Sequence, residues 1–173
     1  MTRPFHTLMF LLGAMLVQSA QAQDAACTSK TVSLPGELAP WSAPMPLLAG
    51  TASSGALPAI STGQAVDMAL SAMPDVAFAS EPGRAADPST RGGLARIEIS
   101  VAGRYRVALG SAAWVDMVAA RGKLSSVDHS HGPACSGIRK IVDYHLNPGT
   151  YLLQVSGSPT ATTRVLVTPL PAA

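Results

Sequence analysis

From Leu94 onward, apolar and polar side chains alternate one by one, and this period constrains the fold more than any other feature. In "LARIEISVA", Ile97, Ile99 and Val101 fall on one face and Arg96, Glu98 and Ser100 on the other. In "RYRVALG", Tyr105, Val107 and Leu109 oppose Arg104 and Arg106. A period of two is what a strand with one buried and one wet face requires. The stretches "AWVDMVAA", "KLSSVD", "IRKIVDYHL", "TYLLQVSG" and "TRVLVTPL" continue it, with Gly103, Gly110, Gly122, Asn147-Pro148-Gly149 and Gly157 as turn residues between most of them. Upstream, residues 64–71 and 76–80 read as two further strands around "MPD". About nine short strands at this spacing predict an all-β fold, an antiparallel β-sandwich or jelly roll.

Two segments echo each other. "VAGRYRVALGS" and "NPGTYLLQVSGS" each run from a turn through Gly-x-Tyr into an apolar strand. They are expected to occupy equivalent turns, with Tyr105 and Tyr151 at the edge of the core. Residues 81–93, "EPGRAADPSTRGG", have no apolar period and read as a mobile surface loop.

The segments before the sandwich differ in character. "MTRPFHT", the apolar run "LMFLLGAMLV" and the small-x-small Ala20-Gln21-Ala22 read as a secretory signal cleaved after Ala22. The apolar run is half the length that a bilayer span needs, roughly 20 residues, and no later segment is long and apolar enough to span. Residues 23–62 read as a Pro/Ala-rich extended arm over a domain of residues 63–173. Pro35, Pro40, Pro44, Pro46 and Pro58 argue against regular sheet or helix there. Leu34, Leu38, Trp41, Leu47 and Leu48 are its expected contacts.

Export implies an oxidising compartment, periplasmic or extracellular. Both cysteines, Cys27 and Cys135, lie beyond the cleavage site. The simplest expectation is one disulfide, closing a loop of about a hundred residues and worth roughly 4–5 kcal/mol in the chain-entropy account. Free thiols or a metal ligand are the alternatives. Charge excludes more than it suggests. Twelve basic and ten acidic residues give a formal net charge of +2, with no basic stripe, so nucleic acid is not an expected partner. No cationic amphipathic segment suits a membrane surface.

One loop carries chemistry. In "DHSHGPACSG", His129 and His131 are two apart and point to one side of an extended chain. In "IRKIVDYHL", Asp143 and His145 share a face with Ile141. His129, His131 and His145 with Asp143 are ligands that Fe, Zn or Cu accept. The competing expectation is a surface loop, turned by Gly132-Pro133 and tied down through Cys135, with solvated histidines and no cofactor. No Gly-x-Ser-x-Gly elbow or phosphate-cradling glycine loop is present. Glu37, Glu81 and Glu98, the only glutamates, do not make a glycosidase pair. Of the six aromatics beyond the leader (Trp41, Phe78, Tyr105, Trp114, Tyr144, Tyr151), only Trp41 is expected to be exposed, unless it pins the arm.

"AGRYRVALGSAAWVDMV", "SHGPACSGIRKIVDYHL" and "PGTYLLQVSG" resemble a group of small exported bacterial proteins that often carry the name homogentisate 1,2-dioxygenase. The resemblance covers residues 63–167. The name would imply a non-haem iron dioxygenase. After His131 the chain reads Gly132-Pro133-Ala134-Cys135, without the glutamate that follows His-x-His in cupins. The "AG-x-Y…PG-x-Y" rhythm is also similar to pre-peptidase C-terminal domains, secreted β-sandwich accessory modules. The combined expectation is a monomeric exported sandwich acting as a non-catalytic binding or accessory module for a periplasmic protein or small ligand. The alternative is a metalloprotein centred on the three histidines.

Overall fold

The computed structural model describes Cys27 and residues 32–171 of the 173-residue chain. The segment expected to be a signal, residues 1–22, lies outside the described residues. The fold is an all-β sandwich of two sheets, with strands β1 (Met45–Leu48), β2 (Ala59–Ile60), β3 (Ala65–Ala69), β4 (Ser71–Ala72), β5 (Arg91–Ile99), β6 (Gly103–Leu109), β7 (Trp114–Ala119), β8 (Gly122–Lys123), β9 (Asp128–Ser130), β10 (Lys140–Leu146), β11 (Gly149–Ser158) and β12 (Thr162–Pro169). One sheet runs β1-β3-β12-β6-β10-β9. The other runs β2-β5-β11-β7-β8, with β4 also on β5.

Alternation places the core where expected. Ile97, Val107, Leu109, Met117, Leu153, Val155 and Val167 meet between the sheets, fully removed from solvent. Val101 is exposed, because β5 ends two residues earlier, at Ile99. The echoed motifs are equivalent: each turn carries the chain from one sheet to the other. The Tyr105 hydroxyl donates to the Val101 carbonyl at 2.9 Å, and Tyr151 to that of Asn147 at 2.9 Å, in both cases four residues upstream. Each tyrosine buries its ring and satisfies the backbone of its own turn.

Three local expectations change. Residues 76–80 form no strand; Ala77 makes a single bridge to Ala52, and a 3-10 turn (Met73–Asp75) precedes it. "KLSSVD" is mostly loop between β8 and β9. Residues 81–93 are partly anchored: β5 already starts at Arg91, and the Gly83 amide donates to Asp116.

The proline-rich stretch is partly built into both sheets and partly laid over one of them. β1 pairs with β3 and β2 with β5, both parallel, so the sheets are mixed and not purely antiparallel. Proline tolerates this at a sheet edge, where one side of the strand needs no donor. A 3-10 helix (Gly36–Ser42) covers the outer face of the first sheet. There, Ala65, Leu166, Ala108 and Ile141 stand side by side in register across β3, β12, β6 and β10. Leu38, Trp41 and Ile138 close over this row as a second, smaller core. The two alanines leave room for Leu38 and Trp41 to descend between the larger side chains. Trp41 is therefore buried, its indole N–H donating to the Ser136 carbonyl at 3.0 Å. Arg164 grips Asp67 with two hydrogen bonds and the Trp41 carbonyl with a third. Leu48 remains 76% exposed.

Among the described residues no helix is long and apolar enough to cross a membrane. Cys27 and Cys135 are disulfide-bonded, a state kept in oxidising compartments.

If the 3-10 helix is part of the folded unit, Leu38→Ala lowers unfolding free energy by about 2–5 kcal/mol in urea titrations. Leu48→Ala should stay within about 0.5 kcal/mol.

Candidate functional site

Register decides the fate of the histidine cluster. β9 lies antiparallel to β10, with His129 opposite Val142 and Asp128 opposite Asp143. Residues directly opposite share a face. His129 is thus on the side of Val142, which belongs to the inter-sheet core. His145 is three residues from Val142, an odd number, so it points out of the other face, opposite Arg104. His131 lies past the end of β9 and is exposed. His129, His131, His145 and Asp143 are not brought to one point, and among the described residues no group of three or more His, Cys, Asp or Glu could hold a metal ion.

Asp143 has a different task. It is 1% exposed and receives Arg106 through Nε at 3.0 Å and Nη2 at 3.0 Å, and Arg104 through Nη2 at 2.9 Å. Arg104 also reaches Asp128 at 2.8 Å, and Arg106 reaches Glu37 at 3.2 Å. The hydrogen bond to Asp143 leads the effects that raise the basicity of Arg106. The His129 amide, then Arg104, hold the Asp128 carboxyl below its usual range. This charged row fixes β6, β10, β9 and the 3-10 helix in register.

The loop that follows β9 folds against the same sheet. Gly132 approaches Ile138 so closely that an added Cβ would lie 2.3 Å from the Ile138 Cβ and 2.7 Å from its carbonyl oxygen. Only glycine fits. Cys135 takes a left-handed backbone, φ 62°, which non-glycine residues seldom adopt.

A cleft beside β9 includes His129. Its volume is about 470 Å³, within the usual size for small-molecule sites. It exists because β8 is short. β8 pairs only with Val118 and Ala119, leaving the first half of β7 without a neighbour on that side. Alternate carbonyls of a strand point the same way, so those of residues 113, 115 and 117 all face the gap. Each is met differently. Leu124 N–H donates to Met117 at 2.8 Å, the Tyr144 hydroxyl to Val115 at 3.3 Å, and Lys140 Nζ to Ala113 at 3.1 Å. Side chains of the facing sheet thus cap the open edge of β7, and the space between them is the cleft.

Trp114 forms its rim. Lys140 Nζ sits 4.6 Å from the ring centroid, and the indole N–H donates to Asp116 Oδ1 at 3.0 Å. The other Asp116 oxygen takes the Gly83 amide at 2.9 Å. Gly83 must be glycine, since a Cβ there would meet Asp116 and the Trp114 indole nitrogen, each at 2.8 Å. Burial, then the nearby Arg84 charge, lower the Lys140 pKa against the pull of Asp116. Burial pushes the Tyr144 phenol upward, so it stays a neutral donor.

No protein-family model matches the chain, and no curated protein sequence matches it. Nothing in their local spacing marks Trp114, Asp116 and Lys140 as one site. One signal was present: in "AWVDMVAA" the alternation sets Trp114 and Asp116 opposite Val115 and Met117, so a tryptophan stands on the face away from the core.

Asp143→Ala strands two arginines and should cost about 3–5 kcal/mol of unfolding free energy, whereas His145→Ala should cost under about 0.5 kcal/mol. Both are read from urea midpoints. Lys140 should titrate below 10.5 in a pH series of side-chain nitrogen NMR spectra. The unfolded chain holds that proton up to the ordinary value. The folded state is therefore penalised below its own lower pKa, and the penalty fades as pH rises between the two. Titration of Lys140 at or above the ordinary lysine value would contradict the packing described.

Proposed function

We propose that this is an exported, non-catalytic binding module whose ligand enters the cleft beside Trp114. The observation that carries the reading is the way the cleft's polar groups are used. Asp116, Tyr144 and the edge carbonyls of β7 are all engaged with the scaffold, which makes a preformed recognition surface rather than a set of groups poised for proton transfer. The same capping disfavours an added peptide strand, because the β7 carbonyls it would need are already taken. A small molecule fits the remaining space. Periplasmic export, with cleavage after Ala22, is supported by the leader-like first residues and by the disulfide.

Two measurements test this. Protein recovered from the periplasm should have an intact mass that begins at Gln23. A library of small fragments added to the oxidised, isotope-labelled protein should include members that shift the amide signals of residues 114–116, 124–126 and 140–144. If no fragment perturbs that set, the binding reading is wrong.

A further inference from the structure

The cleft has an uneven charge distribution that narrows its ligand. A second hollow, of about 280 Å³, adjoins it and shares Trp114 as a wall; Arg84 and Ser156 line this hollow. Arg84 is close enough to depress the Lys140 pKa. Among the described residues neither cation makes an ion pair; Arg91, Arg121, Lys123 and Arg139 make none either, whereas Arg96, Arg104, Arg106 and Arg164 do. The two like charges line hollows that share Trp114, Asp116 offsets the effect of Arg84 on Lys140 only in part, and an anion beside them relieves what remains. Asp116, whose charge favours protonated Lys140, is hydrogen-bonded through both oxygens to Trp114 and Gly83 and makes no direct contact with either cation among the described residues. Lys140 gives one N–H to Ala113 and retains two more. The Ser156 hydroxyl is 1% exposed and has no hydrogen-bond partner among the described residues, a donor left over in the wall of the second hollow. The lining of the larger cleft is also partly apolar, with Leu124, Val142 and Tyr144.

We propose that the cleft binds a small amphiphilic anion, its apolar body against Leu124, Val142 and Tyr144 and its acidic group held at Trp114 by Lys140 and Arg84. This rests on the cleft being a binding site and adds the ligand's chemical class. Ser156 offers the acidic group a further donor.

The test uses the oxidised full-length mature chain and two fluorescent probes of matched body. One, 8-anilino-1-naphthalenesulfonate, carries an anion; N-phenyl-1-naphthylamine is neutral. The sulfonate should bind more tightly, and its affinity should fall about tenfold in Lys140→Gln and in Arg84→Gln, which leave the neutral probe unaffected. Leu124→Trp, filling the cleft, should abolish binding of both. Urea midpoints near that of the parent show that the variants are folded. If both probes bind equally, are blocked by Leu124→Trp and ignore the charge variants, the anion inference is overturned and the binding reading stands. If neither probe binds saturably, or if Leu124→Trp does not block them, both are overturned.

Discussion

The shortness of β8 is the constraint from which the candidate site follows. A strand edge buried against a second sheet cannot leave carbonyls unpaired, since each would cost on the order of 1–3 kcal/mol. β8 covers only the far end of β7. The near end is completed by Tyr144 and Lys140, which reach across from β10 in the other sheet. Satisfying the backbone this way stations a cation over Trp114. The cleft and its charge are thus by-products of closing an edge.

The outer face of the first sheet solves a different problem. A strand pattern normally leaves that face to water. Here one register row is apolar and the next is charged. The apolar row, from Ala65 to Ile141, binds the 3-10 helix through Leu38 and Trp41. The charged row, with Asp143 at its centre, supplies ion pairs to the same helix through Arg106 and Glu37. A buried carboxylate with two arginines is stable because each oxygen is matched by donors of fixed geometry. It is also committed, and this is why a residue whose type suits a metal ligand serves the scaffold instead.

How much could be read in advance varies by element. The long strands β5, β6, β10, β11 and β12 were legible, because each alternates over enough residues for the period to show. So were the paired tyrosine turns, which repeat a local motif. The edge strands β1, β2, β8 and β9 are two to four residues long, too short for any period, and two of them contain or follow prolines that argue against sheet. The strand expected over residues 76–80 failed for the opposite reason: a brief apolar alternation exists, yet no neighbouring strand is placed to pair with it beyond Ala77. Trp41 and Trp114 exchanged roles. The arm's tryptophan belongs to the 3-10 helix and is buried against the sheet, and the one inside a strand lines the cleft.

The amino-acid sequence by itself determined the class of fold, the inward and outward faces of the long strands and the turns between them, since these depend on neighbours one or two residues apart. It also set His129 and His131 at a spacing suited to shared coordination. Which residues actually meet was settled by strand order and register, relations between segments tens of residues apart. Pairing β9 with β10 put His129 and His145 on opposite faces, and pairing β10 with β6 gave Asp143 to two arginines. The gap beside β7 brought Lys140 to Trp114. No local pattern encodes those distances, because they arise only when both sheets are assembled.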